Sequence, residues 1–127
     1  MTNIGIDLVK ISRIQHAVER WGDRFLKRVF SSQEIDYCYQ KKGRAIYASL
    51  AVRFAAKEAF IKAVSEHIQE PVSWKDCEIG ILEGGKPTLL VSECFRKQLF
   101  DANFQVSLSH DGDYAIALVF LNIQSHK

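Results

Sequence analysis

The chain has 127 residues, 47% hydrophobic and 25% charged, with a formal net charge of +2 and a pI of about 8.5. That length suits one domain spanning 1–127 with its own core, and so mild a charge argues against a nucleic-acid partner held by bulk electrostatics. No apolar run reaches the length of a membrane span, the N-terminus lacks a basic and then apolar leader, and the three cysteines, Cys38, Cys77 and Cys94, form no C-x-x-C motif. These features predict a cytoplasmic protein with no membrane partner, no disulfide framework and no zinc site. The cysteines are expected to be small apolar core residues.

Asn3 to Val9 reads as a first strand, with Ile4, Ile6 and Leu8 on one face and Gly5, Asp7 and Val9 on the other. An acid in mid-strand has poor β-propensity, so Asp7 is either an edge acid facing water or a functional group. Ser12 is placed to cap a helix to about Trp21, with Ile14, Val18 and Trp21 as its apolar stripe. Gly22 interrupts it, and Phe25, Leu26, Val29 and Phe30 suggest a second short helix. Ser31 and Glu34 match a capping box for a third, through about Gln40. After the basic turn Lys41-Lys42-Gly43-Arg44, a long helix runs from about Ala45 to His67, stopped by Gln69-Glu70-Pro71.

The second half reads as strands. Cys77 to Leu82 and Thr88 to Val91 flank the turn Glu83-Gly84-Gly85-Lys86-Pro87. A short helix follows over Ser92 to Asp101, anchored by Phe95 and Leu99. Two further strands, Gln105 to His110 and Tyr114 to Leu121, are joined by Asp111-Gly112-Asp113; the second is apolar on both faces, as in a central strand. The polar tail Gln124 to Lys127 is expected to fray. Helices gather early and strands late, which predicts an α+β domain.

The long helix is the most informative element. Ala51, Ala55, Glu58 and Lys62 share one face at about 100° per residue, and most of the remaining surface is apolar, as in a buried helix. A carboxylate there needs a cation or a metal; equally, Glu58 and Lys62 at i,i+4 could be an ordinary surface pair. Two acids, Asp7 and Glu58, suit Mg²⁺, which takes one or two carboxylates and fills its other positions with water and phosphate oxygens. Lys62 would serve a phosphate-containing substrate.

Three segments together, Ile4-Gly-Ile-Asp-Leu-Val9, Phe54-Ala-Ala-Lys-Glu-Ala-Phe-Ile-Lys-Ala63 and Val106-Ser-Leu-Ser-His-Asp-Gly-Asp-Tyr-Ala115, resemble bacterial holo-[acyl-carrier-protein] synthases over essentially the whole chain. These are 4′-phosphopantetheinyl transferases of the short, single-domain class. The resemblance implies transfer of the 4′-phosphopantetheine arm of coenzyme A to a serine of apo acyl carrier protein, with release of adenosine 3′,5′-bisphosphate, in support of fatty acid biosynthesis. It implies Asp7 and Glu58 as Mg²⁺ ligands, and Lys62 and His110 at the phosphates and reaction centre. It further implies Arg53 and the Gly85-Lys86-Pro87 turn at the nucleotide, and Lys42 and Arg44 near its 3′-phosphate. A homotrimer with active sites at subunit interfaces is implied as well. Carrier proteins are acidic, and Arg13, Arg20, Arg24 and Arg28 recur at seven- and four-residue spacings, which suggests a docking face; its plain counterpart is a solvated helix surface.

The nucleophile comes from the carrier, so this chain needs none. The base that takes the serine proton is either a metal-bound water held by Asp7 or Glu58, or His110, whose residue type titrates in the useful range. His110 could equally only orient a phosphate or cap its turn. Other readings are a Mg²⁺-dependent phosphoryl-transfer or hydrolytic enzyme acting on a small nucleotide, and a non-catalytic binding module. A serine hydrolase built on Ser107 or Ser109, His110 and Asp111 is disfavoured, because neighbouring strand residues point to opposite faces and no Gly-x-Ser-x-Gly elbow is present.

Overall fold

A computed structural model describes residues 2–99 and 101–123; the polar tail lies outside them. In chain order the elements are β1 (Thr2–Lys10), α1 (Ile11–Trp21), α2 (Asp23–Val29), α3 (Ser32–Tyr39), α4 (Arg44–Val64), a 3-10 turn (Trp74–Asp76), β2 (Cys77–Ile81), β3 (Pro87–Val91), α5 (Glu93–Gln98), β4 (Ala102–Asp111) and β5 (Tyr114–Ile123). β1, β5 and β4 form an antiparallel sheet in that order, and β2–β3 is a separate hairpin. The expected central strand is β5, and the fold is the α+β arrangement read from the sequence.

α4 packs across the sheet, and its alanines set the spacing. A Cβ on Gly5 would sit 1.8 Å from the Ala59 carbonyl oxygen and 3.0 Å from the Ala63 amide nitrogen. Only glycine lets β1 approach the helix so closely. Ala55, Ala56, Ala59 and Ala63 are fully buried beneath Ala115, Ala117, Val119 and Leu121 of β5. The other face of the sheet is bare. Ile4, Ile6 and Leu8 are 59%, 52% and 60% exposed, and Leu118 and Ile116, the register partners of Ile6 and Leu8 on β5, are each 37% exposed.

Several local expectations are corrected. The Ser31–Glu34 capping box is present, but Ser12 does not cap α1: Lys10 holds the cap position without a side-chain bond, and Asp113 supplies the acceptor instead. In the stripe proposed for α1, Ile14 is buried while Trp21 is 51% exposed. Gly22, at φ 56, separates α1 from α2, so Arg13 and Arg20 lie on a different helix from Arg24 and Arg28. α5 stops at Gln98 and β4 starts at Ala102, three residues before the expected Gln105. All three cysteines are free; Cys38 and Cys77 are buried as expected, whereas Cys94 is exposed. Burial pushes the Cys77 thiol up to about 12.

The buried charges of α4 do not include Glu58. They are Arg53 and Lys57, and Lys57 is fully enclosed, with its ammonium 2.9 Å from Glu34, whose side chain is also sealed from solvent. Lys57 Nζ donates to the Trp74 and Cys77 carbonyls at 2.9 and 2.6 Å, using its three donors. The Glu34 carboxylate accepts from the Ser31 and Ile79 amides at 2.9 and 2.8 Å. A buried pair is tolerable only when saturated in this way, and this one joins α3, α4, the 3-10 turn and β2.

Candidate active site

The close approach at Gly5 sets the register of β1 on α4. Asn3 Nδ2 donates to the Ala63 carbonyl at 3.1 Å, and Gly5 sits on Ala59 and Ala63. The strand therefore runs back along the helix, and Asp7 reaches the turn below, beside Glu58 and Lys62. Lys62 Nζ lies 3.1 Å from Asp7 Oδ1 and donates to the Ile6 carbonyl at 2.9 Å. The i,i+4 surface pair of Glu58 with Lys62 does not form; Lys62 reaches across to the strand instead. Glu58 is half-buried and has no hydrogen bond or ion pair among the described residues.

The second cluster lies on the other flank of α4. A groove of about 320 Å³ is lined by Arg53, Ser49 and Val52 of α4, Tyr37 and Lys41 at the end of α3, Gly85 and Pro87 of the β2–β3 turn, and Leu108 and His110 of β4. Arg53 is nearly buried. Its Nη1 donates to the Ser49 carbonyl and hydroxyl at 3.0 and 2.8 Å, its guanidinium lies 4.5 Å over the Tyr37 ring, and its Nε has no partner among the described residues. Lys41 Nζ lies on the same ring at 5.1 Å. Lys86 turns toward a neighbouring groove of about 620 Å³ between the hairpin and β4.

Five helical residues separate Arg53 from Glu58, which turns their side chains about 140° apart. Within one chain, then, Asp7 meets Lys62, with Glu58 one helical turn before Lys62 on α4, and Arg53, Gly85, Pro87 and His110 line one groove that none of those three lines. The serine-hydrolase alternative fails on the same sheet geometry, since Ser107 and Ser109 lie on the bare face and His110 faces the groove.

The basic residues divide similarly. Arg24 and Arg28 line a concavity of about 410 Å³ with Trp21, Phe25, Val29 and Trp74, and Arg20 stacks on Trp21 at 5.0 Å. Arg44 is already engaged: it donates to the Gly112 carbonyl at 3.0 Å and to Asp113 Oδ1 at 2.7 Å. Tyr37, Lys41 and Ser49 were not singled out from the sequence. Tyr37 and Lys41 stand at helical i,i+4 spacing, a signal masked because the residues looked like an ordinary amphipathic turn.

Residues 3–119 match the family model of the 4′-phosphopantetheinyl transferase superfamily. The chain belongs to this superfamily. Similar proteins include the holo-[acyl-carrier-protein] synthase of Chloroherpeton thalassium, 42% identical over 93% of this chain and 95% of that one. The synthase of Chlamydia trachomatis serovar D is 39% identical over 93% and 97%. Among solved structures, the Helicobacter pylori synthase in complex with coenzyme A shares 35% identity at a TM-score of 0.81, covering 94% and 99% of the two chains. The coenzyme A complex titled as from Chronobacterium ammoniagenes shares 32% at 0.83, covering 98% and 99%. As a phosphopantetheinyl transferase, the chain carries its acids on β1 and α4 and its cationic groove between α3, α4 and the hairpin.

Proposed function

We propose that this chain transfers the 4′-phosphopantetheine arm of coenzyme A to a serine of apo acyl carrier protein, as its relatives' names describe. The observation that carries the reading is the pairing of Asp7 with Lys62 where β1 meets α4, one helical turn from the half-buried Glu58, unpartnered among the described residues. Two carboxylates of hard oxygen donors, one of them without a protein partner among the described residues, fit Mg²⁺. When bound, Mg²⁺ would neutralise charge on the pyrophosphate oxygens. Lys62, beside Asp7, would add a cation for the departing phosphate. Arg53 and Lys41, both lying against the Tyr37 ring, offer positive charge for the nucleotide, and His110 lines the same groove, where it would orient a phosphate or accept the serine proton. A small-nucleotide hydrolase would use the same acids, but has no need of the aromatic and arginine-lined concavity at α1–α2. That concavity suits an acidic carrier helix with an apolar side chain, Arg13, Arg20, Arg24 and Arg28 supplying the steering field.

The two half-sites on opposite flanks of α4 support an active site completed by a neighbouring subunit. The bare sheet face gives that neighbour a surface: contiguous apolar residues on two paired strands are uncommon on a monomer. A homotrimer is the proposed assembly, with cytoplasmic fatty acid biosynthesis as its setting. The test is intact-protein mass spectrometry of an apo carrier incubated with the chain, coenzyme A and Mg²⁺. A gain of one phosphopantetheine mass, lost with chelator, is expected. No gain with several carriers would favour the hydrolytic reading.

A further inference from the structure

The turn between β4 and β5 does more than reverse the chain. Asp113 accepts from the Ser12 amide at 3.0 Å through Oδ1 and from the Ser12 hydroxyl at 2.6 Å through Oδ2. Its carbonyl accepts from the Ile11 amide at 2.8 Å. These bonds satisfy the first amides of α1, a helix with no side-chain cap of its own and no acid in its first turn. The same carboxylate holds Arg44, the first residue of α4, while the Gly112 carbonyl takes the second arm of that guanidinium. One turn, three residues beyond His110, thus fastens the starts of both the basic helix and the acid-bearing helix.

We infer that Asp113 is a positioning residue, which sets the angle of α1 relative to the reaction centre and thereby where a docked carrier presents its serine. This rests on the reading of α1 and α2 as the carrier-docking surface. Along α1 only Ile11 and Ile14 are buried, so the helix is held mainly at its start, where Asp113 grips it. α1 is about 16 Å long at 1.5 Å per residue, and a tilt of about 10° at its start would move Arg20 by roughly 2 Å. Displacements of an ångström at a reacting group are costly in catalysis. Coenzyme A makes no use of α1 in this account; Arg44, expected near its 3′-phosphate, is released from Asp113 but keeps its charge. The carrier should therefore feel the change far more than coenzyme A.

The experiment is steady-state transfer with carrier and coenzyme A varied separately, well below the melting temperature, for wild type, Asp113→Ala, Asp113→Asn, and Arg13→Glu with Arg24→Glu. Asp113→Ala should raise the carrier KM about tenfold, the scale of one lost charge-assisted bond, with a far smaller change in the coenzyme A KM. Asp113→Asn, which keeps an acceptor, should recover most of the loss, and it carries the test if the alanine variant does not fold. Equal rises in both KM values would mark a merely structural residue and overturn the proposal. An unchanged carrier KM in Asp113→Ala, with a large rise in the charge-reversed variant, would overturn the proposal and leave the docking reading standing. An unchanged carrier KM in the charge-reversed variant would overturn the docking reading and the proposal with it.

Discussion

At the scale of single residues, the chain separates charges that work from charges that hold. Lys57 and Glu34 are sealed and saturated, and besides each other their partners are backbone groups of the 3-10 turn, β2 and the Ser31 cap of α3. Lys57→Met should destabilise the protein by about 3–5 kcal/mol, because it strands a buried carboxylate. Adding Glu34→Gln, which retains an acceptor while removing the charge, should recover much of that loss in denaturant melts. Glu58 and Asp7 behave oppositely. Alanine at either should cost transfer at least about a hundredfold, more than the usual loss of an outer-shell partner, with the melting temperature in the absence of metal nearly unchanged. Asp113 gives a pH signature. Its hydrogen bonds from Ser12, and then Arg44, hold its carboxyl below the ordinary value of 3.8. A carboxylate with a depressed folded pKa stabilises above its unfolded pKa and loses that contribution as pH falls through the folded one. The melting temperature of wild type should therefore exceed that of Asp113→Asn at neutral pH, and the gap should close as pH drops below about 4.

At the scale of elements, α4 is a wall with a different task on each flank, and its packing on β1 decides where the acids stand. Gly5→Ala would drive a methyl into the Ala59 carbonyl. The strand must then lift off the helix, and we expect a loss of about 1–3 kcal/mol or more together with loss of transfer, read by thermal melts and by activity at low temperature. Most elements were legible because their signals are local: the Ser31–Glu34 box, Gly22, the glycine turn before Pro87, and the apolar run on both faces of β5. The pair Asp7 and Lys62 was legible only as candidates, since helical spacing shows Lys62 beside Glu58 but cannot show that it reaches across to a strand 55 residues away. The same blindness misplaced the buried charge. A helix apolar all round hides which of two adjacent residues, Lys57 or Glu58, faces inward. The partner that resolves it, Glu34, was already explained by its cap. Ser12 was misread for a related reason, because its acceptor comes from 101 residues further along the chain.

At the scale of the whole molecule, the bare sheet face and the divided site point to the same assembly. Ile6→Glu or Leu118→Asp, each on that face, should yield monomers by light scattering with activity reduced to a few per cent or less, since a charge in an apolar interface goes unpaired. The most direct test of the central claim mixes two defective chains. Glu58→Ala lacks a working acid half and His110→Ala lacks a working groove half, and each alone should transfer phosphopantetheine at least about tenfold more slowly than wild type. After dissociation and reassembly together, random association places an intact acid half against an intact groove half at about one interface in four. The account predicts recovery to about a quarter of wild-type transfer, read as mass gain on the carrier. A mixture no more active than its two components would contradict it and place the complete site within a single chain.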